Sequence, residues 1–555
     1  MRKLQSIQKL PFPAPDVVTK VVPVPTEGWD AISPLASMDP KRAPILDNWV
    51  PRPGWVELRQ GFSPWNWLGS NSPVETLMVR RTVANADKMF AAMGSTIYDV
   101  TTLGTVTAVV TGLSSARFQY INYTPANGTT VIQCVNGIDA LRMYDGTSWT
   151  TPSITGFPGG LNTTDITNIA AAKRRIWYVM SNGSGGGSTL ACFMPTDAIM
   201  GPIGGSIDLG ALWTKGGYLV AIGDWTVDGG NGPQDYVCFL SSRGQITIYQ
   251  GTDPTSSTGW SIVGTFDIAP PISNRCLTRV GSDLGIISQQ GVLPISQVLP
   301  FDPSADRSVA ITARIQNAMA QASMTASNNF GWQLLTYPQQ QLTILNVPIS
   351  ENSLQYQYVM NALTGAWCRF TGWNANCFEI VNDALYFGGN DGTVNLAYDG
   401  GLDLGSPIPA NMQCAFNYFD DPGRTKRMTM AQPVMLASGT ILPQISIDED
   451  FATSTNASTV TILTGGALWD TAEWDIDKWP SVTNTTVNPW LSTQAIGHAL
   501  AIHMVVNVSP QVSTNIGEFD IGVFDTAQFD QGVSGTAPTL QVNAFNTILE
   551  LGGFL

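Results

Sequence analysis

Gly94-Ser95-Thr96-Ile97-Tyr98-Asp99, Leu141-Arg142-Met143-Tyr144-Asp145-Gly146 and Ile246-Thr247-Ile248-Tyr249-Gln250-Gly251 share one plan: a short apolar or alternating run that meets a turn. The plan recurs loosely at Leu190-Ala191-Cys192-Phe193, Gly291-Val292-Leu293-Pro294-Ile295-Ser296, Gln357-Tyr358-Val359-Met360 and Asn395-Leu396-Ala397-Tyr398-Asp399-Gly400. Spacings of roughly 40 to 60 residues are close to those of four-stranded propeller blades. A four-stranded blade cannot bury both of its faces alone, so blades stack radially about an axis. The reading is therefore mainly β, with a roughly six-bladed β-propeller over residues 75–405. The turn Asp145-Gly146-Thr147-Ser148-Trp149 lacks the spacing of a sialidase Asp-box and is set aside.

Outward from the repeat, residues 1–74 read as an extended arm and platform segment. The prolines of Pro11-Phe12-Pro13-Ala14-Pro15 and Val21-Val22-Pro23-Val24-Pro25 exclude helix. The stretch has too few periodic strands to fold alone, so Trp49, Trp55, Trp65 and Trp67 are expected to pack on another domain or subunit. One helix interrupts the repeat: Ser304-Ala305-Asp306 can cap a run of about 15 residues with Ile311, Ile315, Ala318, Met319 and Ala322 on one face. Residues 406–555 read as a C-terminal β domain, joined with the N-terminal region in a β-rich platform or sandwich. Its strand-like segments are 412–419, 428–436, 441–447, 499–508 and 539–551. Two aromatic-acid series, Trp469-Asp470, Trp474-Asp475, Trp479 and Phe519-Asp520, Phe524-Asp525, Phe529-Asp530, read as aromatic-anchored turns or as loops that meet neighbouring subunits.

The 555 residues are only 12% charged and 43% hydrophobic, which excludes a coiled coil, a basic nucleic-acid binder and a charge-rich disordered chain. No apolar run approaches the ~18 residues of a spanning helix. Met1-Arg2-Lys3-Leu4-Gln5 lacks the apolar core of a secretory signal, so a soluble protein made without one is expected.

Little in the chain promises chemistry. The seven cysteines (Cys134, Cys192, Cys238, Cys276, Cys368, Cys377, Cys414) are scattered without a Cys-x-x-Cys pair and read as reduced, buried small hydrophobes. The two histidines, His498 and His503, are five apart on an expected strand, hence on opposite faces and unsuited to sharing a metal. Ser184-Gly185-Gly186-Gly187 and Gly229-Gly230-Asn231-Gly232 lack the lysine of a phosphate loop. Asp448-Glu449-Asp450 reads as an exposed acidic turn rather than a Ca²⁺ site. Asp224, Trp225 and Asp235 occupy a plausible loop, but no spacing singles out a glycosidase acid pair. No catalytic, cofactor-binding or metal residue is assigned, no cofactor is expected, and the chain is read as a non-enzyme.

The net charge of −15 is uneven. Residues 410–555 hold 14 acidic and 4 basic groups, whereas residues 1–100 hold 9 and 11. So little Lys and Arg argues against tight DNA binding but suits a wall past which DNA slides. Arg424, Lys426 and Arg427 could form an isolated basic ring in such a wall.

The central stretch Ile207-Asp208-Leu209-Gly210, Gly216 through Gly230, Gly244-Gln245-Ile246-Thr247-Ile248-Tyr249-Gln250-Gly251-Thr252-Asp253-Pro254 and Arg275-Cys276-Leu277 carries a family resemblance. With Leu46-Asp47-Asn48-Trp49-Val50-Pro51, Gly466-Ala467-Leu468-Trp469-Asp470 and Leu551-Gly552-Gly553, it resembles the tail nozzle (tail hub, or packaged-DNA stabilisation) proteins of short-tailed bacteriophages. The resemblance implies a structural virion protein assembled in the host cytoplasm, a homo-hexamer below the adaptor (head-to-tail connector) protein. It implies a central channel that retains packaged double-stranded DNA and conducts it during ejection without specific binding. Tail fibre or tailspike proteins and the host cell envelope would be further partners. No catalytic residues come with it. The competing reading is a glycan-binding or carbohydrate-active propeller acting as a phage receptor-binding tail protein.

Overall fold

The computed structural model describes residues 16–82, 86–183, 186–228, 233–256, 258–298, 309–438, 441–454, 457–459, 485–508 and 539–554. Both aromatic-acid series, the expected helix cap Ser304-Ala305-Asp306, the proline run 11–15 and the stretch 229–232 lie outside these residues.

Six four-stranded antiparallel blades follow one another in the chain. They occupy residues 74–110, 119–150, 166–208, 219–267, 333–370 and 375–397, the last completed by Phe62–Trp67. A smaller three-stranded sheet, residues 277–294, stands between the fourth and fifth blades. Each of the seven repeats read from the sequence falls on a strand of a different sheet. The innermost strand of each sheet packs against that of the next, and Val74–Arg80 meets Ala375–Val381 to close the ring.

The blades hold together through apolar faces that only their neighbours can cover. Met78, Phe90, Phe118 and Ile132 fill the gap between the first and second blades. Ile166, Ile176 and Tyr178 pack with Val131 and Val135 between the second and third. Trp177, Phe193, Ile222 and Phe239 pack between the third and fourth. A fully buried side chain of this size contributes about 2–3 kcal/mol. Tight turns keep the strands in register. Gly244 has φ +77°, and a Cβ there would lie 2.3 Å from the Ile268 carbonyl oxygen, so the turn between Pro233–Ser241 and Gln245–Gly251 requires glycine.

The expected boundary at residue 75 shifts. Phe62–Trp67 pairs antiparallel with Thr393–Ala397 and supplies the fourth strand of the last blade. The physical reason is ring closure: a strand from before the first blade locks the last one. Trp49 is fully buried and Trp65 packs edge-on against Tyr386, whereas Trp67 is 58% exposed.

Both ends of the chain build the platform. In one seven-stranded sheet Asp16–Pro23 and Trp55–Leu58 pair with Thr539–Phe554, which runs beside Arg424–Ser438. A second, eleven-stranded sheet begins as the fifth blade and continues outward. Its strand Trp367–Phe370 is joined through Ile45–Asp47 to Pro409–Gln413, Leu500–Val508 and Ile441–Glu449. The expected strand 412–419 thus ends at Gln413.

Asn48 turns the corner between the two sheets with φ 62°, a conformation that asparagine tolerates. Arg59 is packed into this corner. Its guanidinium donates five hydrogen bonds: to Asn48 Oδ1, the Gln60 and Thr371 carbonyls, and both oxygens of Asp403 at 2.8 and 2.6 Å. All five donors are satisfied although the side chain is fully buried. Arg369 makes a second two-pronged pair with Asp47, both bonds 2.7 Å.

The helix runs Gln316–Ala326, preceded by a 3-10 turn at Ala313–Ile315. The expected apolar face holds, with Ile315, Met319 and Ala322 buried.

Candidate functional site: the propeller axis

The innermost strands present their edges to the axis, and residues from all seven sheets surround a cavity of about 220 Å³. Thr76, Gln119, Tyr120, Asn168, Arg275, Gln333 and Glu379 make its wall polar. Amide side chains tie neighbouring sheets together around it. Asn168 donates to the Val220 and Asn274 carbonyls at 3.1 and 2.9 Å. Gln333 exchanges two 2.9 Å bonds with the Phe378 backbone.

Arg275 precedes the three-stranded sheet and reaches across the ring. Its Nη2 donates to Thr76 Oγ1 at 2.9 Å, the Phe118 carbonyl at 3.0 Å and the Glu75 carbonyl at 3.3 Å. These acceptors belong to the first and second blades, three sheets away in either direction, so the side chain forms a crossbar over the axis. Phe330 lies under the Arg275 guanidinium at 4.8 Å and under that of Arg117 at 4.5 Å. Arg117 is itself held by Glu75 at 2.7 Å and Glu351 at 2.5 Å.

Glu379 is the carboxylate in the wall. Tyr120 donates its hydroxyl to Oε2 and Arg81 donates Nη2 to Oε1, both at 2.7 Å. Burial pushes the Glu379 carboxyl above its ordinary range despite these bonds. Burial likewise lifts the Tyr120 hydroxyl well above the usual tyrosine value and lowers Arg275. Cys377 borders the cavity, but desolvation pushes its thiol up to about 12, far from a reactive thiolate. The other cysteines are buried and free too.

The acids and histidines singled out in the sequence have separate structural duties. Asp448 is fully buried, contrary to the expected exposed turn. It accepts from Gln413 at 2.5 Å and the Ser454 N–H at 2.7 Å, and its Oδ2 lies 3.1 Å from His503 Nδ1. The reason is that the strand Ile441–Glu449 is covered on both faces here: Ile445, Ser446, Ile447 and Asp448 are all buried, and Asp448 pairs with Ala501 of the neighbouring strand. Burial raises its carboxyl, but His503, Ser454 and Gln413 outweigh that and hold it below the usual carboxylate range. Asp450, exposed, caps the His498 and Ala499 N–H groups. His498 sits in the turn before Leu500–Val508, beside Asp450, so the two histidines serve different acids. Among the described residues, no three His, Cys, Asp or Glu side chains gather as a metal site.

Asp224 pairs with Arg279 at 2.8 Å, Trp225 donates to Asp283, and Asp235 accepts from Thr226. The expected basic ring does not form as a set. Lys426 is fully buried, its ammonium donating to the Asp421, Arg424 and His498 carbonyls. Arg427 faces Glu550 at 3.5 Å, and Arg424 donates to the Gly552 carbonyl. Inward alternation along Arg424–Ser438 buries Lys426 between its two neighbours in sequence. Arg275 and Arg59 carry no local signature of these roles, because their partners are distant in the chain.

No family model and no curated protein sequence matches the chain. Solved propeller structures are similar to part of it. The β-propeller domain of Myceliophteria thermophila Cps50 (Swd1) is 12% identical over 60% of this chain and 98% of that one, with TM-score 0.37. Saccharomyces cerevisiae Sqt1 is 10% identical over 61% and 99%, with TM-score 0.33. Chaetomium thermophilum Raptor is 8% identical over 61% and 29%, with TM-score 0.36.

Proposed function

We propose that this chain is a structural subunit of the tail nozzle of a short-tailed bacteriophage, six copies surrounding a channel that retains and then conducts double-stranded DNA. The observation that carries the reading is the bracket-like platform: both chain ends pair in one of its sheets, and its other sheet continues directly from the fifth propeller blade. Such a body holds its propeller at a fixed angle to an assembly surface. The motifs shared with nozzle proteins support the same reading. The propeller's own axis is crossed by Arg275 and leaves only a small cavity, so a DNA conduit would run between copies and not through a propeller.

In this reading six copies at −15 each surround the DNA with an acidic or neutral wall that it passes without gripping. Retention then comes from steric closure by loops or a partner. The protein carries out no catalysis, and DNA passes without sequence-specific contact. The adaptor protein and a fibre or spike are its neighbours in the virion. Against a glycan reader, the exposed Trp67, Tyr218 and Trp490 are dispersed over the last blade, the start of the fourth blade and the platform.

Mass measurement in solution, alone and with the adaptor, tests the proposal. A hexamer, formed alone or on the adaptor, is expected; a protein monomeric under both conditions, or a trimer, overturns it. Cleavage of host polysaccharide or peptidoglycan by the purified protein would overturn the non-enzymatic part.

A further inference from the structure

We infer that the axial cavity of the propeller is a binding site for a small oxyanion, a carboxylate or phosphate group received by Arg275. The argument starts from charge. Four other buried or half-buried guanidiniums meet a carboxylate: Arg59 meets Asp403, Arg369 meets Asp47, Arg117 meets Glu75 and Glu351, and Arg42 meets Asp30. Among the described residues, Arg275 has no carboxylate within ion-pair distance. Its hydrogen bonds all leave from one nitrogen, Nη2, and all end on neutral oxygens. A half-buried cation in a desolvated wall without a counter-ion is costly, and a guanidinium offers two parallel N–H groups that match an oxyanion.

Space and surroundings agree with this. Arg275 borders a cavity of about 220 Å³, several times the ~30 Å³ that a water molecule occupies in the liquid. The carboxylate in the same wall, Glu379, is occupied by Tyr120 and Arg81 and does not compete for Arg275. Leu334, Ile169 and Phe378 add apolar wall, room for the short carbon body of a small acid beside its charged end. The site is independent of how copies of the chain assemble.

Calorimetric titration of the full chain with sodium succinate and with sodium phosphate, at constant ionic strength against a chloride control, tests the site. The two titrations separate a carboxylate from a phosphate ligand. Saturable binding of at least one anion is expected, weakened about tenfold or more in Arg275→Met. Arg174→Met, which removes an exposed guanidinium paired with Asp197, should bind as the wild type does. Absence of saturable binding of both anions overturns the inference, as does wild-type affinity in Arg275→Met. If Arg275→Met fails to fold, wild-type crystals soaked in selenate decide. An anomalous selenium peak within hydrogen-bond distance of the Arg275 guanidinium supports the site, and its absence from the cavity overturns it.

Discussion

The propeller axis and the platform each bury a carboxylate, and they treat it in opposite ways. Glu379 on the axis receives a tyrosine hydroxyl, one half-exposed guanidinium and the Ile380 N–H at 3.3 Å, and desolvation still wins. Asp448 in the platform receives an amide, a backbone N–H and a histidine, and the bonds win. The difference lies in what surrounds each group. The axis is a place where seven sheets converge, and there the desolvation of Glu379 outweighs the bonds it accepts. The platform strand is flanked by Leu500–Val508 with its neighbour Pro409–Gln413, each of which brings a polar side chain to the same point. Burial alone therefore does not predict the charge of an acid; the balance between desolvation and the bonds the carboxylate accepts does.

The largest effect is expected where the two regions join. Arg59→Met removes five hydrogen bonds and leaves Asp403 uncompensated, at a cost of about 3–5 kcal/mol. Denaturant titration should show platform and propeller destabilised together; loss confined to one would mean that the corner does not couple them. Asp448→Ala comes next, at about 2–3 kcal/mol, because it strands Gln413 and His503.

The two acids then predict opposite pH slopes. The folded-state value of Asp448 is depressed, so its contribution is present above the ordinary aspartate range and is lost as pH falls through the folded value. Acid unfolding of the wild type should steepen there, and Asp448→Asn should flatten it. The Glu379 value is raised, so its contribution is full below the ordinary glutamate range and is lost as pH rises through the folded value. Glu379→Gln, which keeps an acceptor for Tyr120 and Arg81, should remove that loss and leave stability near pH 8 unchanged or higher. A wild-type slope of the same sign for both variants would erase the contrast. The smallest effect belongs to the surface: Arg174→Met breaks an exposed pair with Asp197 and should change stability by no more than about 1 kcal/mol.

The blades were legible because each repeats a local pattern, and the run Val237-Cys238-Phe239-Leu240 is buried as its composition requires. The three-stranded sheet announced itself too, through Gly291-Val292-Leu293-Pro294, but chain length divided by blade length counts only full blades. The helix face was readable from Ile315, Met319 and Ala322 for the same local reason. The axis and the corner were not readable in this way. Arg59 and Asp403 are 344 positions apart, and Arg275 lies 157 from the carbonyl of Phe118. No spacing rule joins such pairs; only ring closure does. Asp448 misled because three consecutive acids look like a turn, whereas the first of them still belongs to a strand covered on both faces.

The closing strand Phe62–Trp67 and the platform strand Asp16–Pro23 also set a timetable. Their partners, Thr393–Ala397 and Thr539–Phe554, are the last parts of their sheets to be made. At a synthesis rate of roughly 5–20 residues per second, the first strand waits on the order of a minute for its mate. An unpaired strand edge during that interval invites pairing with another nascent chain. The waiting strands carry prolines at Pro23 and Pro64, each lacking the N–H that such mispairing would use. The same residues that look like defects in finished sheets thus act as guards during the chain's assembly, and late docking of the two termini makes platform completion the step that releases a finished subunit.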